Sequence, residues 1–242
     1  MTTTKTHTAE HPGPITLDAR LASGAITVTV EDRTHAVITI ATADNDGTSA
    51  NAVNAARIND SGTKIAVGVD TAGGGSGGVV IQSGGVQRNM FNTGGGVMIA
   101  GNNYGVISTG NGSVVIGGGA VVIGGSPIFI EAKLPVGSSL LAETTDARVE
   151  TTGSLDRAQV RTMSGHIRID AVTTPDLHTM SGHIDIRALY GDGRAETMSG
   201  RITVVAAVEC ALRARSMSGD IEISGARVDL DASTMSGRLR TR

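Results

Sequence analysis

One phrase recurs five times in the last third of the chain, and no other feature restricts the possible folds so tightly. It reads Thr162-Met163-Ser164-Gly165-His166-Ile167-Arg168-Ile169, then Thr179-Met180-Ser181-Gly182-His183-Ile184-Asp185-Ile186. Further copies begin at Thr197, Ser216 and Thr234, and Gly165, Gly182, Gly200, Gly219 and Gly237 step by 17, 18, 19 and 18 residues. That period is too short for a pair of helices and suits one coil of a stacked β-structure. The expected fold is all-β, with a parallel, β-helix-like β-solenoid of about 18 residues per turn in the C-terminal third.

Side chains alternate across a strand, so Met163, Gly165, Ile167 and Ile169 are expected on one face and Thr162, Ser164, His166 and Arg168 on the other. This reading buries the methionines, each stacked on its copies above and below as an unbranched filler. The glycine either relieves crowding inside or takes a backbone angle forbidden to other residues. A shorter strand precedes each phrase, with Val160, Leu177, Ala195, Ala214 and Ala232 inward and Leu212 and Leu230 two residues earlier in the last two copies. Its last apolar residue falls three positions before the methionine, so a corner is expected between the two.

In-register stacking would make equivalent positions lateral neighbours, about 4.8 Å apart. One outward column then runs His166, His183, Arg201, Asp220, Arg238, and the next runs Arg168, Asp185, Thr203, Glu222, Arg240. Opposite charges meet at Arg168 and Asp185, at Glu222 and Arg240, and around Asp220. Such exposed pairs tune register more than they stabilise.

Composition agrees with thin stacked sheets: 34 glycines, two Phe, two Tyr and no Trp among 242 residues leave the core to aliphatic side chains. A net charge of −3 carries no signal for a polyanion or a membrane surface. The single cysteine, Cys210, excludes a disulfide framework and is expected to be a small buried filler.

Four regions are expected. Residues 1–14 read as a polar tail. Residues 15–70 hold β-strands that form first turns or a cap, with Ile15, Leu17, Ala19 and Leu21 on one face and Ser23-Gly24-Ala25-Ile26-Thr27-Val28 echoing the later phrase. Residues 71–127 form a Gly-rich insert, with 19 of the 34 glycines between Gly73 and Gly125. The insert reads either as flexible loop or as a second solenoid or self-pairing tract. Residues 128–242 carry the β-solenoid repeats. With no apolar signal-type segment and no run of 18 apolar residues, neither a signal peptide nor a membrane span is expected. The expected location is cytoplasmic, with surface export left open.

The strand and turn Ile130-Glu131-Ala132-Lys133-Leu134-Pro135-Val136-Gly137-Ser138-Ser139-Leu140 leads into successive Ser-Gly-x-Ile-x-Ile units, and Ile15-Thr16-Leu17-Asp18-Ala19-Arg20-Leu21-Ala22-Ser23-Gly24 opens the pattern. This arrangement resembles a bacterial adhesin-like β-strand-repeat family of unknown function, common in actinobacteria. The resemblance covers most of the chain outside the insert. It implies the fold and an adhesin-like surface role.

No residue is nominated as catalytic, cofactor-binding or metal-binding. His166 and His183 would be neighbours in one column, but Arg201 stands where a third imidazole would be needed. Ser164 beside His166 along one strand gives the hydroxyl no oriented base, so the chain is not expected to be an enzyme. Gly73-Gly74-Gly75-Ser76-Gly77-Gly78 lacks the Lys-Ser/Thr of a phosphate loop, and neither a basic stripe nor stacking aromatics support nucleic-acid binding.

The function expected is a non-catalytic structural or interaction protein. It would be an adhesin-like scaffold presenting repetitive surfaces to an unknown protein or glycan partner, with a homo-oligomer as one possible state. An alternative is a self-assembling amyloid-like or polymer-forming module using the Gly-rich insert, through segments such as Val80-Ile81-Gln82-Ser83-Gly84 and Asn102-Asn103-Tyr104-Gly105-Val106-Ile107-Ser108-Thr109-Gly110. A third reading exposes the Thr/Ser ladder, Thr162 and Ser164 through Thr234 and Ser236, as a flat hydroxyl array. Arg238, Arg240 and Arg242 along the last strand discourage edge-to-edge growth there.

Overall fold

The structure is a computed structural model that describes residues 2–70, 77–82, 95–100, 106–109, 112–115 and 126–242. In chain order the elements are β1 (Thr3–Thr8), β2 (Thr16–Leu21), β3 (Gly24–Glu31), β4 (Val37–Thr42), α1 (Gly47–Ala55), β5 (Arg57–Asp60) and β6 (Lys64–Val69). Within the insert lie β7 (Gly77–Gln82), β8 (Gly95–Ala100), β9 (Val106–Thr109) and β10 (Gly112–Val115). Then follow β11 (Ile128–Pro135), β12 (Ser139–Thr144), β13 (Arg148–Thr162), β14 (Ile167–Thr179), β15 (Ile184–Leu189) and β16 (Gly193–Thr197). The chain continues through β17 (Ile202–Ala206), β18 (Cys210–Ser216), β19 (Ile221–Gly225), β20 (Val228–Thr234) and β21 (Leu239–Thr241).

The strands outside the insert fall into two hydrogen-bonded ladders. The first runs β5-β6-β2-β12-β13-β14-β16-β18-β20, through the C-terminal halves of β13 and β14; only its β5–β6 pair is antiparallel. The second runs β1-β4-β11-β3-β13-β14-β15-β17-β19-β21, through the N-terminal halves of β13 and β14. Its antiparallel pairs are β1–β4 and β4–β11. From β11 onward the chain alternates between the two ladders, which is how a winding chain differs from a meander of hairpins.

Register is carried by the aliphatic residues. Ile167 pairs with Ile184, Ile184 with Ile202, Ile202 with Ile221, and Ile221 with Leu239. A one-residue slip would turn the buried Ile167, Ile184, Ile202 and Ile221 to solvent, so burial specifies their pairing strongly. Ile26, Val28, Ile130, Val149, Ile167, Ile169, Ile184, Ile186, Ile202, Val204 and Ile221 from the second ladder meet Leu17, Leu140, Val160, Leu177, Ala195, Leu212 and Ala214 from the first in one continuous core. Cys210 is buried in that core as well, and burial pushes its thiol pKa up.

Two details depart from the expected layout. Thr3–Thr8, read as part of a polar tail, forms β1 and pairs along its whole length with β4. Residues 15–70, read as β-strands, also contain α1, the single helix among the described residues. It buries Ser49, Ala50, Ala52 and Val53 and lies against β1, β4 and β6, across the N-terminal end of the stack. Lys5 Nζ donates to the carbonyls of Asn54 and Ala56 at the end of that helix. The fold is therefore mostly β rather than all-β.

In the insert, β7 pairs in parallel with β8, Val80 opposite Met98, and β9 pairs antiparallel with β10. The rest of the self-pairing reading, including residues 83–84 and 102–105, lies outside the described residues. No helix among the described residues is long and apolar enough to cross a membrane.

Candidate functional site

The site begins with a departure from strict alternation. Val160 and Thr162 both point inward at the end of β13, and Gly165, Ile167 and Ile169 point inward again at the start of β14. Between them Met163 and Ser164 are both outward, and the chain turns there. The same corner returns at Met180-Ser181, Met198-Ser199, Met217-Ser218 and Met235-Ser236.

This overturns the expectation that the methionines are buried. Met163, Met180, Met198, Met217 and Met235 are 52%, 46%, 46%, 47% and 79% exposed. The inward place belongs instead to the hydroxyl residue before each one. Thr162, Thr179, Thr197 and Ser216 are only 5–7% exposed. The reason is hydrogen bonding. Thr162 Oγ1 accepts the Gly165 N–H at 2.9 Å and donates to the Thr145 carbonyl at 3.2 Å, one coil back. Thr179 Oγ1 accepts the Gly182 N–H at 3.0 Å, and Thr197, Ser216 and Thr234 donate to the carbonyls of Gly182, Gly200 and Gly219. A side-chain hydroxyl can satisfy turn backbone where a thioether cannot, so threonine turns in and methionine turns out. The proposed hydroxyl array is lost with the same observation, because its threonine half is inside.

The repeat glycines are explained by crowding rather than by backbone angle. None of Gly165, Gly182, Gly200, Gly219 and Gly237 has a positive φ. A Cβ at Gly182, Gly200, Gly219 or Gly237 would collide with the carbonyl of the glycine one coil earlier, and at Gly165 with that of Ala147.

These corners align the methionine backbones directly. Ser181, Ser199, Ser218 and Ser236 N–H groups donate to the carbonyls of Met163, Met180, Met198 and Met217 at 2.8–3.0 Å. Beside the methionine column, the outer face of the first ladder presents Arg161, His178, Glu196, Arg215 and Ser233 in register. The two columns enclose an open groove of about 670 Å³, which Met180, Met198, Met217 and Met235 line along one side. His178 bridges two acids: Nε2 lies 2.9 Å from Asp176 Oδ1 and Nδ1 lies 3.3 Å from Glu196 Oε2. Glu196 also pairs with Arg194 at 2.7 Å, and Arg215 lies 3.6 Å from Asp231. Sequence reasoning missed this groove because it had placed the methionines inside. The available signal was the outward residue two positions before each methionine.

The second ladder brings together the two histidines singled out in the sequence. The rings of His166 and His183 stack with centroids 4.9 Å apart and planes 12° from parallel. The His183 N–H donates to His166 Nδ1 at 3.1 Å, and the Arg201 N–H donates to His183 Nδ1 at 2.9 Å. A backbone N–H can only donate, so each neutral ring holds its own proton on Nε2. Neither ring then has a free lone pair for a metal. Burial first, then the neighbouring His183, Arg148 and Arg168, hold the His166 pKa below its ordinary value. One turn further, Asp220 Oδ1 takes over the acceptor role for the Arg238 N–H. The lateral pair Arg168–Asp185 forms at 3.4 Å, whereas Glu222 pairs with Arg242 at 3.9 Å although Arg240 is its register partner. Among the described residues there is no group of three or more His, Cys, Asp or Glu side chains placed to hold a metal ion.

A mostly parallel sheet wound in repeated coils, with outward columns and open grooves, defines a solenoid-like repeat protein. The chain belongs to the Toastrack DUF4097 family, which it matches over residues 16–242. No curated protein matches it in sequence. Among solved structures it is similar to a "putative adhesin" from Bacteroides fragilis, with 13% identity, 99% of this chain and 97% of the other covered, and a TM-score of 0.46. A "putative cell adhesion protein" from Clostridium sporogenes is similar at 7% identity, with 100% and 99% coverage and a TM-score of 0.40. A "putative lipid binding protein" from Parabacteroides distasonis is similar at 10% identity, with 99% and 96% coverage and a TM-score of 0.33.

Proposed function

We propose that this chain is a non-catalytic interaction module, an adhesin-like scaffold whose coils of about 18 residues display repeated surface chemistry to a protein or glycan partner. The observation that carries this reading is the corner groove. Four of the five repeat coils contribute one exposed methionine each to it, set beside a column of mixed charge. Partner surfaces elsewhere combine flexible thioethers with arginines in the same way. Rigid backbone stacking fixes the spacing, so recognition would cost little ordering of the scaffold.

The test uses the full-length chain immobilised and exposed to protein extract and to a glycan array. The reading expects a retained partner whose binding falls at least tenfold when Arg161, Arg194 and Arg215 are changed together to Ala. Changing Arg148 and Arg168 on the opposite face should leave retention unaltered. Turnover on a panel of hydrolase and transferase substrates, or a partner indifferent to the groove residues, would overturn it.

A further inference from the structure

We infer that the methionine column is a binding site for a soft monovalent cation of the copper(I) and silver(I) class. This inference goes beyond the interaction module and does not depend on a protein partner being found.

Positions around each coil differ in how much variation they accept. Inward sites accept several aliphatic residues: Ile169, Ile186, Val204 and Ile223 are equivalent, as are Val160, Leu177, Ala195 and Ala214. The outward position after each glycine varies from His to Arg to Asp. The corner position is methionine in all five copies and is 46–79% exposed in every one. An apolar corner alone could be built from leucine or valine. What the five share, and those residues lack, is the thioether.

Geometry favours bridging between coils. The methionine backbones sit directly above one another, so their side chains start about one strand spacing apart, roughly 4.8 Å. Two metal–sulfur bonds even as short as a zinc–thiolate bond, about 2.3 Å, laid end to end span roughly 4.6 Å, and a larger soft ion spans slightly more. An ion seated between neighbouring coils can therefore take one sulfur from each, and three rotatable bonds per side chain let the sulfurs converge. Thioethers select soft cations over zinc, magnesium or calcium. No harder donor in the groove competes freely: both nitrogens of His178 are engaged by Asp176 and Glu196, and Glu196 is held by Arg194. The arginine charge that would oppose a cation is partly offset by those same acids and by Asp231 beside Arg215.

Silver(I) is the probe, because it needs no reductant. All proteins carry Cys210→Ser, since a thiol would bind silver independently of the column. The full-length chain is labelled with carbon-13 on the methionine methyls and titrated with silver nitrate in chloride-free buffer. The expected result is a saturable shift of the Met180, Met198 and Met217 methyl signals, with no shift on adding zinc(II). Replacing Met163, Met180, Met198, Met217 and Met235 by Leu should weaken silver binding at least tenfold while the far-ultraviolet circular dichroism is unchanged. The milder M198L/M217L pair should remove the central sites alone. Column methyls that stay still under excess silver, equal shifts with zinc, or a five-leucine variant that binds silver as tightly as its parent would each overturn the assignment.

Discussion

Replacing Gly182 by alanine tests the closest approach between coils. Gly182 has no positive φ, so crowding is the only penalty at stake. A Cβ there would run into the Gly165 carbonyl oxygen, and would stand 2.8 Å from that carbonyl carbon and 2.7 Å from Thr179 Oγ1, where ordinary contact begins at 3.4 Å. The two coils would have to part by about 1 Å, a large fraction of the slack available at strand spacing. That movement stretches the Ser181 N–H bond to the Met163 carbonyl, now 2.8 Å, while the Cβ pressing on Thr179 Oγ1 disturbs the Gly182 N–H bond to that hydroxyl within the same coil, now 3.0 Å. Overpacking costs about 1–3 kcal/mol, and a buried donor left unmade costs about 1–3 kcal/mol more. For a chain of this length each kcal/mol moves the melting midpoint by about 2–4 °C, so a fall of roughly 5–20 °C is expected. Gly68→Ala is the matched control, because no atom lies within 4 Å of its Cβ position and it too lacks a positive φ. It should stay within about 0.5 kcal/mol of wild type. Thermal and urea melts followed by circular dichroism read both. A G182A protein melting within about 2 °C of wild type, or a G68A protein falling equally far, would refute the reasoning about stacked corners.

Three further outcomes follow from the same geometry. Thr162→Val keeps the side-chain shape but leaves the buried Gly165 N–H without its acceptor, so urea melts should show a loss of about 1–3 kcal/mol that Thr162→Ser largely restores. The native His166 pKa lies below its unfolded value, so its contribution to stability is present above about pH 6.5 and is lost as pH falls through the native pKa. His166→Gln should flatten that part of the stability profile between pH 7.5 and pH 5; an unchanged slope would show that neither burial nor the neighbouring His183, Arg148 and Arg168 bias the imidazole. Mild peroxide should oxidise Met163, Met180, Met198, Met217 and Met235 in the folded protein, read by peptide mass spectrometry, with a stability change within about 0.5 kcal/mol. Buried methionines would instead resist oxidation until the chain unfolds.

The legible parts of the fold were those written in aliphatic period. Ile167, Ile169, Ile184 and Ile186 alternate cleanly, and each repeats one coil later, so both burial and lateral pairing could be read from the residues. The corner was not legible from hydropathy, because methionine scores as apolar and threonine as polar while hydrogen bonding sends Thr162 in and Met163 out. β1 escaped for a related reason. Thr3 to Thr8 has no apolar face to reveal it, and its place is set by backbone bonds to β4. Helix α1 is built on buried Ala50, Ala52 and Val53; Asp46 at its N-cap is its one start signal, with no acidic residue in the first turn and no basic residue in the last to support it. In the candidate site, the stacked pair His166 and His183 was foreseen as neighbours, but their Nδ1 acceptor roles depend on backbone N–H directions that spacing alone does not contain. The groove column of Arg161, His178, Glu196 and Arg215 became visible only when the corner was placed.

The central claim is that one outward column runs through the stack, from Thr27 through Glu150, Arg168, Asp185, Thr203 and Glu222 to Arg240, one residue per coil. Spin labels in a Cys210→Ser background, pairing Thr27→Cys with Thr203→Cys and then with Arg240→Cys, measure it most directly by pulsed dipolar spectroscopy. Four and six strand spacings predict separations near 19 and 29 Å, rising linearly along the column. Equal or shortening separations, as a hairpin meander would give, would contradict the stacked-coil architecture.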